Sequence, residues 1–403
     1  SAASDVYKRQ ILLLAGVLTS CKVGKSYVRP DLHLPDSLER SQDSVSFGDQ
    51  DWRDIYTDAT LRSLIERALD HNKDMLIAAA RVKEMAAQKR ISTAALLPDI
   101  KGKVTGEREL ENHGGDAFKR SDTFEAQFLV SWEVDLWGNL RWARSASIAE
   151  YLQSIEAQRA LQMTIVAEVA QAYYELVALD TELDIVKQTL KAREEGVRLA
   201  RIRFAGGLTS ETSYRQAQVE LARTATLVPD LERKISLKEN DIAYLAGEYP
   251  NKIARSRLLQ EFNSPETLPV GLPSTLLERR PDIRQAEQKL IAANAKVGVA
   301  YTNMFPRLAL TGGFGSESTS LSELLKSPYA VMEGALLTPI FGWGKNRAAL
   351  KAKKAAYEAE VHSYEKSVLE AFKETRNAIV NFNKIKEAVS YTHLRAHETE
   401  LHL

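Results

Sequence analysis

Apolar positions recur every seven residues over a long stretch of the chain. Counting back from Phe204 gives Val197, Leu190, Leu183, Leu176, Val169, Gln162, Ile155 and Ile148, of which only Gln162 is polar. The companion positions three residues on, among them Tyr151, Ile165, Ala172, Leu179, Val186 and Ala200, are mostly apolar too. No Gly or Pro interrupts Asn139 to Glu195. After Arg203-Phe204-Ala205-Gly206-Gly207-Leu208-Thr209-Ser210 the spacing resumes at Tyr214, Leu221, Val228, Ile235 and Ile242. A seven-residue repeat sustained this far predicts helices that supercoil on partners. Gly206 and Gly207 permit the reversal between them. The expected element is a helical hairpin over residues 138–246. Its first arm would be about 100 Å long and its return arm about 55 Å.

A second pattern has period two. Ile100, Gly102, Val104 and Gly106 alternate with Lys101, Lys103, Thr105 and Glu107. Further on, Phe124, Ala126, Phe128, Val130, Trp132 and Val134 share one face. Glu125, Gln127, Ser131, Glu133 and Asp135 share the other, with Leu129 the exception. Apolar-out, polar-in alternation over about 9–11 residues fits a tilted strand crossing a bilayer, its polar side facing a lumen. A soluble hairpin with one face on a core would alternate in the same way.

The chain also repeats itself. Asp74, Ala78, Ala87 and Pro98 recur 208 residues later as Asp282, Ala286, Ala295 and Pro306. Trp137-Gly138 with Arg141 recurs as Trp343-Gly344 with Arg347. A duplicated helix–strand–strand–helix unit is expected. The first copy spans residues 58–272, with strands near 99–109 and 122–136 and a Pro-containing equatorial segment over 247–272. The second spans 273–388, with a helix from Pro273 to Met304 and strands near 306–316 and 328–341. Its last helix keeps its sevens at Leu350, Tyr357, Tyr364, Ala371, Ala378 and Ile385. By comparison with the first copy, a second tip and returning helix belong beyond Ala388, so this copy reads as truncated.

Composition narrows the function classes. Among 403 residues, 54 Lys and Arg balance 54 Asp and Glu, which argues against a dedicated nucleic-acid binder. No apolar run reaches the about 18 residues of a membrane-spanning helix, which says nothing against a barrel. No nucleotide loop, catalytic triad or cofactor motif is present, so no enzyme activity, cofactor or metal is expected. His393 and His397 stand four apart with Glu398, but no third metal ligand is in view. The single cysteine, Cys21, follows an apolar run ending Leu18-Thr19-Ser20. That pattern reads as a lipoprotein signal over 1–20, with acylation at Cys21 and an extended tether over 21–57. Residues 389–403 break the composition of the helix before them and read as a foreign tail.

Several runs together resemble the TolC-type outer-membrane factors, in the lipoprotein branch often called NodT-like. They are Leu61 to Leu64, Ala68-Leu69, Asn72, Asp74, Pro98, Asp135-Leu136-Trp137-Gly138 and Arg203-Phe204 with Gly207-Leu208-Thr209-Ser210. The most distinctive is Leu276-Leu277-Glu278-Arg279-Arg280-Pro281-Asp282-Ile283-Arg284-Gln285-Ala286-Glu287. The resemblance implies a mainly α protein with a membrane β-barrel: a homotrimer with twelve strands, continued by a periplasmic α-helical tunnel. It implies a passive outer-membrane exit duct for solutes delivered by an inner-membrane RND-type pump through a periplasmic adaptor. It assigns adaptor docking and the periplasmic tip to Arg203, Gly206, Gly207, Leu208, Thr209 and Ser210. Many relatives carry Asp three residues after the matched Ser, where this chain has Ser213, so a gate pair there is not expected. The alternative is a lipid-anchored periplasmic coiled-coil adaptor or scaffold, which would lack the duplicated strands.

Overall fold

The computed structural model describes residues 22–32, 50–112, 119–256, 278–338 and 342–401; for Trp343 and 392–401 the backbone alone is described. The chain divides into two compact units, one from residues 1–33, 82–155 and 282–370, the other from 34–81, 156–281 and 371–403.

The first unit carries the sheet. Strands β1 (Asp99–Glu111), β2 (Lys119–Val134), β3 (Arg307–Ser318) and β4 (Pro328–Leu337) lie in that order. All neighbours are antiparallel. A short 3-10 helix, Leu321–Lys326, joins β3 to β4. The two hairpins are joined by β2 and β3, where Phe128 faces Phe314 and Gln127 faces Gly315. This register keeps the alternation coherent across strands, since a one-residue slip would turn the apolar set over. The apolar face is open to solvent in the single chain: Val104, Phe128, Phe314 and Met332 are 64–92% exposed. A soluble sheet hides such a face, whereas a barrel wall turns it to lipid.

Trp137-Gly138 turns the chain from β2 into α4 (Asn139–Ala205), with Gly138 at φ +81°. A Cβ on Gly138 would stand 3.0 Å from the Lys22 backbone, so this turn needs glycine on two counts. Asn139 Nδ2 donates to Thr302 Oγ1 and Asn303 Oδ1, each at 2.8 Å, tying α4 to the end of α6 (Pro281–Thr302). Trp142 packs on Ala146, Ala295 and Val299. Of the helix expected over Pro273–Met304, α6 covers Pro281–Thr302; Glu278 and Arg279 are also helical, Arg280 interrupts the run, and residues 273–277 lie outside the described residues. Proline suits the first position of α6 and keeps the residue before it, Arg280, out of helical geometry, which accounts for the break.

The second unit carries a larger core. It holds α1 (Trp52–Ile55), α2 (Ala59–His71), much of α4, and α5 (Glu211–Leu245). Leu61, Leu64 and Ile65 of α2 pack with Val169, Tyr173 and Leu176 of α4 and Ile235 and Ile242 of α5. Burial of each such aliphatic side chain contributes about 2 kcal/mol. Asp58 caps α2, its Oδ1 accepting from the Thr60 and Leu61 amides at 2.7 and 3.1 Å. Its Oδ2 accepts from Ser256 Oγ at 2.6 Å and Tyr173 OH at 3.1 Å. Arg255 pairs with Asp180 at 2.7 Å and Glu239 at 2.6 Å. Residues 251–256 are therefore strapped over the helices by Asp58 and Arg255.

The helix α3 (Lys73–Ala94) and α6 each have 22 residues and begin 208 residues apart. β1 and β3 begin at the same offset. The last helix, α7 (Trp343–Leu401), continues across the composition change at residue 389. Residues 257–277, which include the rest of the equatorial segment expected over 247–272, lie outside the described residues.

Candidate functional site

Three places hold the residues that the sequence singles out. The first is the polar face of the sheet. Glu125 of β2 accepts from Lys103 Nζ and Thr105 Oγ1 of β1, both at 3.1 Å. Tyr329 of β4 reaches across β3, donating its hydroxyl to Glu125 Oε1 at 2.7 Å and lying 3.2 Å from Gln127 Oε1. Gly315 makes that reach possible by presenting no side chain between Gln127 and Tyr329. Glu133 faces Arg307 at 3.9 Å. Ser131 sits between Asp99 and Thr311 in register. The structure thus brings Glu125, Gln127, Ser131 and Glu133 onto one polar face, hydrogen-bonded at Glu125 and Gln127. Such a face, opposite a solvent-exposed apolar one, can wet a channel without burying an unpaired charge.

Asp135 is not part of that face. β2 ends at Val134, and the Asp135 carboxylate accepts from the Leu140 and Arg141 amides at 3.0 Å and from Arg141 Nε at 2.9 Å. Alternation alone extends the strand one residue too far, because a carboxylate capping the first turn of a helix carries no period-two signature.

The second place is the turn between α4 and α5. Gly207 has φ +71°, its amide reaches Phe204 O at 3.0 Å, and the Leu208 amide reaches Arg203 O at 2.9 Å. This is the Schellman arrangement, in which glycine supplies the left-handed residue. Phe204 and Tyr214 stack across the hairpin with centroids 6.1 Å apart. Leu208 is 78% exposed, and Leu199, Ile202 and Val219 are exposed beside it. Thr209 Oγ1 is buried without a hydrogen-bond partner, and Ser210 begins α5 without a side-chain cap bond. Arg203 makes no ion pair among the described residues. The tip is thus a rigid turn that presents apolar side chains and one free guanidinium.

The third place is the segment after Cys21, which itself lies outside the described residues. Residues 22–32 have no regular secondary structure, yet they are firmly held. The Val23 amide donates to Trp137 O at 3.1 Å, and Trp142 Nε1 donates to Val23 O at 2.7 Å. Lys22 Nζ lies 3.4 Å above the Trp142 ring. Arg29 forms a two-pronged pair with Glu287 at 2.7 and 2.8 Å. Burial first, and then the charge of Glu287, raise the Tyr27 hydroxyl well above its ordinary range. The sequence shows only a polar, Pro-containing stretch here. Tyr27 and Arg29 are the one hint of anchorage, and their partner lies more than 250 residues away.

Residues 64–248 and 272–400 match the family model described as outer membrane efflux protein. The chain is 33% identical to outer membrane protein OprJ of Pseudomonas aeruginosa, over 91% of this chain and 79% of that protein. It is 28% identical to the cation efflux system protein CusC of Escherichia coli, over 94% and 83%. The solved structure of the outer-membrane channel OprN superposes with a TM-score of 0.85 at 28% identity, over 92% of this chain and 85% of that one. With its open apolar sheet face, its opposite polar face and its long helical hairpin, the chain belongs to the outer membrane efflux protein family and is an outer-membrane channel component of an efflux system.

Proposed function

We propose that three copies of this chain close their sheets into one twelve-stranded barrel. The observation that carries this is a four-stranded sheet with an apolar face and a hydrogen-bonded polar face, ending at two free edges, β1 and β4. Lipid offers no hydrogen bonds, so a spanning sheet must close. Four strands are too few, since the smallest such barrels have about eight. Glu125, Gln127, Ser131 and Glu133 then line the lumen. The turn at Arg203, Gly206, Gly207, Leu208, Thr209 and Ser210 docks a periplasmic adaptor, which passes solutes from an inner-membrane pump of RND type. Cys21 carries the acyl anchor, and the held segment after it fixes where that anchor enters the bilayer. Transport through the duct is passive.

The test is the mass of the detergent-purified protein together with its conductance in a planar bilayer. Three chains and stable ohmic channels are expected. A monomer that stays soluble once the lipid is removed would contradict the reading and favour a lipid-anchored scaffold.

A further inference from the structure

A groove of about 480 Å³ opens in the sheet-bearing unit, between the held N-terminal segment, α6 and α7. Val23, Val297 and Leu350 give it apolar walls. Gly24 and Gly298 also line it, and both press on the indole of Trp142, where added Cβ atoms would come within 3.1 and 2.3 Å. The groove is therefore a built feature, with a rigid aromatic behind two glycines. Asn294 Nδ2 holds the Lys25 carbonyl at 3.3 Å and keeps the segment in place.

Its two cations are Lys25 and Lys354. Both are exposed, and neither has an acidic partner among the described residues. On the same groove lie Tyr301 and Tyr357. Tyr301 packs edge-on against Phe305 at 5.4 Å, and Phe305 stacks on Trp137 at 5.1 Å. Trp137 in turn donates to Pro306 O at 2.7 Å, at the foot of β3. An aromatic band at the foot of a membrane sheet marks the level of the lipid headgroups. The groove continues from that band.

We infer that this groove binds an anionic glycerophospholipid of the inner leaflet, with the phosphate between Lys25 and Lys354 and an acyl chain along Val23, Val297 and Leu350. The inference rests on the duct reading, because only that orientation puts the sheet foot at the inner leaflet. Free phosphate satisfies the lysines but leaves the apolar walls empty. A zwitterionic lipid fills the walls but repels the lysines with its own cation.

The experiment uses the purified oligomer in detergent, titrated with phosphatidylglycerol, phosphatidylcholine or inorganic phosphate and read by native mass spectrometry. Phosphatidylglycerol is expected to bind once per chain. Each lysine near an anionic headgroup is worth about a factor of five, so Lys25→Gln with Lys354→Gln should weaken binding about twenty-five-fold. These exposed, unpaired lysines can be replaced without disturbing the fold, and unchanged oligomer mass checks that. Equal binding by wild type and variant overturns the inference, as does displacement of the lipid by millimolar phosphate. Conductance is measured on the same samples. Channels that conduct but hold no lipid defeat the lipid site alone and leave the groove to a neighbouring copy. Protein that neither assembles nor conducts defeats the duct reading.

Discussion

Asp58 is the residue whose replacement says most about how the second unit holds together. It is 1% exposed and accepts four hydrogen bonds: two cap α2, and two come from Tyr173 and Ser256. Asp58→Ala removes the cap, costing about 1 kcal/mol. It also removes the acceptor of the buried Tyr173 hydroxyl proton, leaving that hydroxyl only the Ser256 amide that donates to it, and costs about 2 kcal/mol more. A local loss of about 3 kcal/mol speeds amide exchange at Leu61 to Ile65 more than a hundredfold. Asp58→Asn keeps a cap oxygen and offers its own amide to Tyr173, so about a tenfold effect is expected. The readout is hydrogen exchange of the α2 amides and of residues 253–256 in the intact oligomer. Exchange in Asp58→Ala within threefold of wild type would mean that these bonds do not hold α2 in place. The pH dependence has a definite sign. Burial pushes the Asp58 carboxyl up, but the bonds from Ser256, Leu61, Thr60 and Tyr173 prevail and hold it below the usual range. A depressed folded pKa gives stability that is present above the unfolded value of about 3.9 and lost as pH falls through the folded one. The strap over residues 251–256 should therefore loosen below about pH 4 and be indifferent to a change from pH 8 to pH 6.

Two further outcomes are expected. Cells given tritiated palmitate should label the wild-type chain and not Cys21→Ser; label on the variant would place the acyl group elsewhere. Gly207→Val forces a branched side chain into a left-handed turn, at about 1–2 kcal/mol. It should reduce cross-linking to the adaptor while trimer mass and conductance stay unchanged; undiminished cross-linking would remove the tip from docking.

Much of the fold is legible because it is periodic. The sevens through Val169, Leu176 and Leu183 are buried in the second unit, and the alternation through Phe124 to Val134 is the register of β2. The 208-residue offset is visible because α3 and α6 bear the same length and both strands after them follow at once. What the sequence does not disclose is side-chain partnership at long range. Asp58 with Ser256, Arg29 with Glu287, and Trp142 behind Gly24 and Gly298 join residues that share no repeat. Asp135 shows the opposite failure, in which a period continues by chance past the end of its element.

If the polar face of the sheet lines an aqueous duct, as proposed, a thiol placed on that face reacts from the water-filled lumen and one on the apolar face does not. Single cysteines are placed at Gln127 and at its neighbour Phe128, each in a Cys21→Ser background. A charged, membrane-impermeant thiol reagent is added while single channels are recorded in a planar bilayer. Gln127→Cys channels should lose conductance in three steps, and Phe128→Cys channels should be unaffected. Equal modification at both positions, or no channel at all, would contradict the aqueous duct.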